Sequence, residues 1–329
     1  MKLHSNSAEK ANINYNINRQ LSDVRDDDVS AEIDICLTFD RNFIPHAAVT
    51  LLSATRAIGK RCQLNVHVIC SSDIGDEEHH AFETLSPHAK ITWYEVDTSR
   101  FERLPDNREH ISLATYIRLL IPETLCPVVQ KVIYLDCDTI LTDRLYDLWS
   151  TNLDGAPIAA APDEGGQTHA KRLKLIDSSF YFNAGVLVFD LEAIDSNWFA
   201  EEVARVVARD DVDLHLQDQD ILNLLFEAKA HKLDLRWNAN TRLYTPNDLR
   251  PAYTPIEAEA AMLFPGILHF TDRRKPWTEN CNHPLRDLYW ELRNQTLWRE
   301  TLSQQLLRNV KDLLRNRFSK SRRLVNMNY

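Results

Sequence analysis

Short apolar runs alternate with longer amphipathic stretches through most of this chain. Residues 33–39, 64–70, 90–96, 131–136, 157–161, 185–189 and 266–270 are compact, largely apolar and often β-branched, and they predict strands. Between them, 45–58 (stopped by Gly59), about 76–85, 112–120, 192–208 and 218–229 carry helical patterns. In the first half the two kinds of segment alternate, which predicts an α/β fold with a mostly parallel sheet flanked by helices. Residues 1–30 lack such a pattern. They are polar, Asn-rich and acidic, ending in Arg25-Asp26-Asp27-Asp28, and they read as a loosely ordered leader. A large domain at 31–280 follows, then a helical C-terminal region at 281–329.

Composition changes this picture in two places. With 44% hydrophobic and 26% charged residues the 329-residue chain is an ordinary globular protein, and a net charge of −10 argues against nucleic acid as a partner. The charge is uneven, however. Seven Lys or Arg against one Asp give residues 302–329 a net +6, which leaves −16 on the rest. Leu302, Leu306, Leu307, Val310, Leu313, Leu314 and Phe318 recur there at helical spacing, among Arg308, Lys311, Arg315, Arg317, Lys320, Arg322 and Arg323. This basic amphipathic tail is expected to lie on an anionic membrane surface; the alternative is a helix packed on the main domain. The six cysteines show no C-x-x-C spacing, no signal-peptide pattern is present, and no apolar run approaches the roughly 20 residues of a membrane span. A cytoplasmic protein, peripheral on the inner face of the membrane, is the expectation.

Candidate chemistry concentrates at strand ends. The run Lys131-Val-Ile-Tyr-Leu-Asp-Cys-Asp138 places Asp136 and Asp138 two positions apart after an apolar strand. Side chains at i and i+2 of an extended segment share a face, so both acids are expected to point together at the carboxyl end of the sheet, where α/β folds bind ligands. A divalent cation relieves the repulsion of such a pair; a hydrated turn is the plainer reading. Among only seven glycines, none forms a dinucleotide-binding turn or a P-loop, so any bound diphosphate must rely on metal and cationic side chains. Asp40 and Asn42 follow the first strand, suited to a pyrimidine N–H and a ribose or, more simply, to capping. Asn183 stands among small residues in Phe182-Asn-Ala-Gly-Val186; Gln217-Asp-Gln-Asp220 opens a helix; His269 ends the last strand, ahead of Arg273, Arg274, Lys275 and Trp277. An imidazole completing a two-carboxylate site is a reasonable third ligand.

Six motifs in this order resemble the eighth glycosyltransferase family, retaining enzymes that use nucleotide-diphosphate sugars. They are Asp40-x-Asn42, His110-Ile-Ser-Leu-Ala-Thr-Tyr-Ile-Arg118, Tyr134-Leu-Asp-Cys-Asp138, Tyr181-Phe-Asn-Ala-Gly-Val186, Gln217-Asp-Gln-Asp-Ile-Leu-Asn223 and His269 through Lys275-Pro-Trp277. Within the family the chain is similar to the bacterial galactosyl- and glucosyltransferases of lipopolysaccharide core or lipooligosaccharide. The resemblance implies the GT-A fold over 31–280, a UDP-sugar donor, and a saccharide acceptor carried on lipid. It implies that Asp136, Asp138 and His269 hold Mn2+, with Mg2+ the alternative. It implies uridine contacts from Thr38, Asp40 and Asn42, and donor-sugar contacts from Arg118, Asn183 and Asp218, with Ala184 and Gly185 leaving room. Gln219 would lie beneath the anomeric carbon, Lys275 would bind a phosphate oxygen, and His110 would line the cleft.

One position departs from the family pattern. Asp272 replaces a usual Gly, an unfavourable charge beside a diphosphate unless Arg273 or Arg274 neutralises it. Asp136-x-Asp138-Thr139 also resembles the haloacid dehalogenase phosphohydrolases, but these want Thr at position 140, which is Ile. A non-catalytic nucleotide-sugar binder is the remaining alternative.

Overall fold

The computed structural model describes residues 7–24, 29–71, 73–97, 113–177, 180–209, 211–245, 250–308 and 310–311. Its strands are β1 (Glu32–Phe39), β2 (Gln63–Ser71), β3 (Lys90–Val96), β4 (Lys131–Leu135), β5 (Thr139–Leu141), β6 (Ile158–Pro162), β7 (Phe182–Asp190), β8 (Ala230–Lys232), β9 (Ala239–Asn240) and β10 (Ile267–His269). Seven form one sheet in the order β3-β2-β1-β4-β7-β6-β8, and β5-β10-β9 form a second. In the large sheet β3, β2, β1 and β4 are mutually parallel, and β7 runs antiparallel between β4 and β6. The carboxyl ends of β1, β4 and β6 therefore share one edge.

Alternation along β1 feeds two cores. Ile33, Ile35 and Leu37 pack with Ile133, Leu135 and the Ala47, Ala48, Leu51 and Ala54 face of helix Ile44–Ala57. Cys36 points the other way, into a cluster with Tyr116, Ile117 and Tyr134. Covered on both faces, these strands read as unbroken apolar runs. Helix Ile44–Ala57 follows from its sequence: Pro45 sits in the first turn, alanines fill the buried face, and the chain turns extended at Ile58, before Gly59.

The leader departs from expectation. Ser7–Val24 is an α-helix, not a loosely ordered segment, and Ile13, Ile17 and Val24 on it are buried. Their spacings of four and seven make a narrow apolar stripe, easily masked by the asparagines around it. The Asn16 amide donates to the Leu263 carbonyl at 2.9 Å, and Gln20 donates to Asp143 and to the Pro265 carbonyl at 2.9 and 3.1 Å. Ile13 and Ile17 join a third core with Ile140, Leu268, Tyr289 and Trp290, which lies against the small sheet.

At the other end, helix Arg286–Arg293 packs on the domain, whereas Leu302, Leu306 and Leu307 on helix 302–308 are exposed at 79%, 66% and 57%. Arg308 lies 4.3 Å from the Trp290 ring and pairs with Glu300, and Lys311 pairs with Glu279. The rest of the basic tail, from Leu313 onward, lies outside the described residues. Among the described residues no helix is long and apolar enough to cross a membrane.

Candidate active site

β4 ends at Leu135, and the chain then turns tightly. The Thr139 hydroxyl and amide both reach the Asp136 carbonyl, at 2.7 and 3.2 Å. Asp136 and Asp138 do converge, but through this turn and not through strand alternation. Between them Cys137 is tucked inward, its thiol 3.5 Å from the Thr38 carbonyl. The third ligand candidate arrives across the small sheet, where β10 pairs antiparallel with β5 and sets His269 opposite Thr139. His269 Nε2 lies 3.1 Å from Asp138 Oδ1 and 3.6 Å from Asp136 Oδ2. One ligand atom from each of the three residues lies within 4.8 Å of the others. Two carboxylate oxygens and one imidazole nitrogen so placed fit Mn2+ or Mg2+. Gly185 on β7 makes the cluster possible: a Cβ there would stand 2.1 Å from His269 Cε1 and 2.7 Å from Asp136 Oδ2. The room at Gly185, expected to serve a sugar, is taken up by these two side chains.

Cationic side chains flank the acids. Buried Arg118 bridges Asp136 and Asp218 at 3.0 and 2.9 Å and donates to the Ala184 carbonyl at 2.7 Å. Burial opposes its charge, but Asp136 and Asp218 outweigh it and hold the guanidinium more basic than usual. Burial pushes Asp218 up to about 7 even against Arg118. Lys275 Nζ is 2.5 Å from Asp138 Oδ2 and 2.6 Å from the Phe270 carbonyl. Burial alone would raise the Asp138 carboxyl; Lys275 and His269 together bring it well below the usual carboxylate range. Asp272 is answered by Arg274, whose side chain and amide both reach it.

A buried amide network lies behind this charged cluster. Asn183 accepts from the Gly185 amide at 2.9 Å and donates to Asp163 at 3.1 Å. Gln219 accepts from the Ala184 amide at 3.0 Å and donates to Asp163 and to the Tyr181 hydroxyl, both at 3.2 Å. Asp220 is fully buried, holding Arg172 at 2.7 and 2.8 Å, the Tyr181 hydroxyl at 2.6 Å and the Leu216 amide at 2.7 Å.

Comparison with known proteins now decides the family. The model for glycosyl transferase family 8 matches residues 34–281, about three quarters of the chain. This chain belongs to glycosyl transferase family 8. General stress protein A of Bacillus subtilis is 29% identical over 269 residues, covering 79% of this chain and 92% of the relative. The lipopolysaccharide 1,3-galactosyltransferase of Salmonella typhimurium is 26% identical over 283 residues, covering 81% and 79%. A crystal structure of the galactosyltransferase LgtC with donor and acceptor sugar analogs superposes with a TM-score of 0.69 at 26% identity, covering 80% of this chain and 96% of that one. The GT-A fold follows, and with it a glycosyltransferase. The haloacid dehalogenase reading falls.

For this family 8 chain, most residues singled out from sequence gather at one edge of the sheet. Thr38 is buried, its hydroxyl 3.2 Å from that of Tyr134, which donates to Asp136 at 2.6 Å. Asp40 caps the 3-10 turn Arg41–Phe43, accepting from the Asn42 and Phe43 amides, and Asn42 is exposed beside it. Arg118, Asn183, Ala184, Asp218, Gln219 and Lys275 all join the two networks described. His110 lies outside the described residues. Sequence reasoning missed Asp163, Glu164, Tyr181 and Asn238. Asp163 and Glu164 follow β6 as Asp136 follows β4, so the strand-end rule applied once more would have found them. Tyr181 stands inside a quoted motif, yet nothing local marks its hydroxyl as a partner of Gln219. Asn238 sits in a short 3-10 helix, Leu235–Asn238, with no local mark of its role.

Proposed function

We propose that this chain is a retaining hexosyltransferase moving galactose or glucose from a UDP-sugar to a saccharide acceptor of a cell-surface glycan. The observation that carries this is the Asp136–Asp138–His269 cluster, three ligand atoms within 4.8 Å of one another at the sheet edge of a family 8 chain. The Salmonella relative, named as acting on lipopolysaccharide, and the galactosyltransferase neighbour support the substrate class.

In this reading Asp136, Asp138 and His269 hold a divalent cation, preferably Mn2+ because one ligand is an imidazole. When bound, the cation supplies Lewis-acid stabilisation of the leaving diphosphate. Lys275 adds preorganised positive charge on a phosphate oxygen, exchanging its contact with Asp138 for one with the donor. Thr38, Asp40 and Asn42 receive the uridine at the end of β1. Arg118, Asn183 and Asp218 border the donor sugar next to Ala184, Gln219 lies beneath the reacting carbon, and His110 lines the cleft. Retention with a covalent intermediate would need a free carboxylate nucleophile. Asp220 is a poor one, since Arg172, Tyr181 and the Leu216 amide occupy both its oxygens, and Asp218 is buried against Arg118. A front-side path, in which the leaving phosphate deprotonates the acceptor hydroxyl, therefore suits these residues better.

The same reading divides the chain into an N-terminal segment at 1–30, a catalytic domain at 31–280 and a C-terminal region at 281–329. That region would hold the enzyme peripherally on the cytoplasmic membrane face, where a lipid-linked acceptor resides. Exposed Leu302, Leu306 and Leu307 beside a basic tail support it. Unchanged liposome sedimentation after deletion beyond Trp298 would remove the membrane role.

The enzymatic test measures UDP release from a panel of nucleotide sugars with Mn2+, with Mg2+ and with neither. Metal-dependent release from UDP-galactose or UDP-glucose, abolished by Asp138→Ala, is expected. Donor binding without turnover for every acceptor would instead establish the non-catalytic binder.

A further inference from the structure

We propose that Asn238 is a positioning residue for His269. Together with Asn183 it transmits the direction of one backbone N–H, that of Gly185, to the imidazole, and so holds the ring in the tautomer that offers Nε2 to a cation. The proposal rests on the reading that Asp136, Asp138 and His269 form the metal site.

A side-chain amide is nearly symmetric in shape, so its orientation is set by which partners can only donate and which can only accept. The backbone starts the chain of logic. The Gly185 N–H can only donate, and at 2.9 Å it faces the Asn183 amide, which must therefore present Oδ1. Gly185 cannot turn to relax this, because its own carbonyl accepts from the Asp136 amide at 2.8 Å. With Oδ1 so placed, Asn183 Nδ2 faces a carboxylate oxygen of Asp163 at 3.1 Å, which satisfies the other end.

The same Asn183 oxygen lies 2.8 Å from the Asn238 amide. An oxygen there needs a donor, so Asn238 must present Nδ2 to it. Its Oδ1 is then the atom 2.8 Å from His269 Nδ1. An amide oxygen only accepts, so Nδ1 carries a proton, and when the ring holds that proton alone, as a metal ligand does, its lone pair is on Nε2. That nitrogen is the one 3.1 Å from Asp138 Oδ1 and 3.6 Å from Asp136 Oδ2. Asn238 has no exposed surface, and His269 retains 4%. Bulk water therefore does not replace this relay, and an amide left unpaired there is costly. Outer partners of this kind usually matter about 10–100-fold in metal affinity.

Two measurements test the proposal. Long-range 1H–15N NMR on the metal-free protein reads the His269 tautomer directly, with the signal assigned through His269→Gln. A proton on Nδ1 is expected, alone or with a second on Nε2 facing Asp138, and a ring protonated on Nε2 alone overturns the relay. Mn2+ affinity is then measured by EPR titration, with and without UDP, for the unaltered protein, Asn238→Leu and Asn238→Asp. The leucine variant should bind Mn2+ about 10–100-fold more weakly. The aspartate variant again offers an acceptor to Nδ1 but loses the donor to Asn183 Oδ1, so it should bind Mn2+ more tightly than the leucine variant without reaching the unaltered protein. Unchanged Mn2+ affinity in a folded Asn238→Leu protein overturns the proposal. If that variant does not fold, the tautomer of the unaltered protein and the near-isosteric aspartate variant decide. Failure of the unaltered protein to bind Mn2+ at all would sink the metal reading instead, while the NMR result still judges the relay.

Discussion

Two acid pairs in this chain share one spacing and have different fates. Asp136-x-Asp138 and Asp218-x-Asp220 each place two carboxylates two residues apart. The first pair sits in the turn after β4 and converges on His269. The second opens helix Gln217–Leu225, where residues two apart point about 200° from each other. Asp218 accordingly meets Arg118 on one side, and Asp220 meets Arg172 and Tyr181 on the other. The acids of the first pair share one imidazole between them, while those of the second face different guanidinium groups, Arg118 (which Asp136 also uses) and Arg172. Backbone conformation, not spacing, decides whether two such carboxylates converge or part.

Removing one acid from the first pair should have the greatest consequence. Asp138→Ala should lower donor turnover by at least about 10²–10³-fold and abolish tight Mn2+ binding. Retained metal-dependent UDP release would show that the converging pair is not the ligand set. Gly185→Ala should act nearly as strongly from outside the acids, since its Cβ needs the space of His269 Cε1 and Asp136 Oδ2. An Mn2+ titration of that variant showing ordinary affinity would mean the cluster can rearrange.

The second pair should answer in stability. Asp220→Ala leaves Arg172 facing a buried void and should cost on the order of 3 kcal/mol in urea unfolding, with Mn2+ affinity little changed. A smaller and sharper effect comes from Glu164, an acid with neutral donors. It accepts from the Thr271 hydroxyl and the Arg242 amide, and burial, helped by the charge of Asp163, pushes it up to about 7. Its folded form then holds a proton that the unfolded chain has released, from about pH 4.5 to about pH 7. Stability should fall across that window as pH rises, and Glu164→Gln should flatten this part of the urea-midpoint profile. An identical slope in both proteins would mean that Glu164 does not titrate there.

Much of the scaffold could be read from sequence because its signals are local. The strand at 33–39 and the helix at 45–58 depend on apolar runs, alanines, Pro45 and Gly59, and the structure moves their ends by about one residue. The leader helix escaped because its stripe is narrow and its stability comes from partners near Leu263 and Asp287, far along the chain. Individual ligand candidates were legible for a similar reason: Asp136, Asp138 and His269 follow recognisable strands and sit in recognisable motifs.

The order of most elements, the family resemblance and the residues at strand ends were thus legible in the amino-acid sequence. How those residues meet came from the folded packing. Pairing of β5 with β10 carries His269 to the acid turn, the missing Cβ of Gly185 admits it there, and Asn238 orients its ring. Local preference acts over a few neighbouring residues, whereas ligand geometry is set to tenths of an ångström by packing between segments far apart in the chain, and no short-range pattern encodes that.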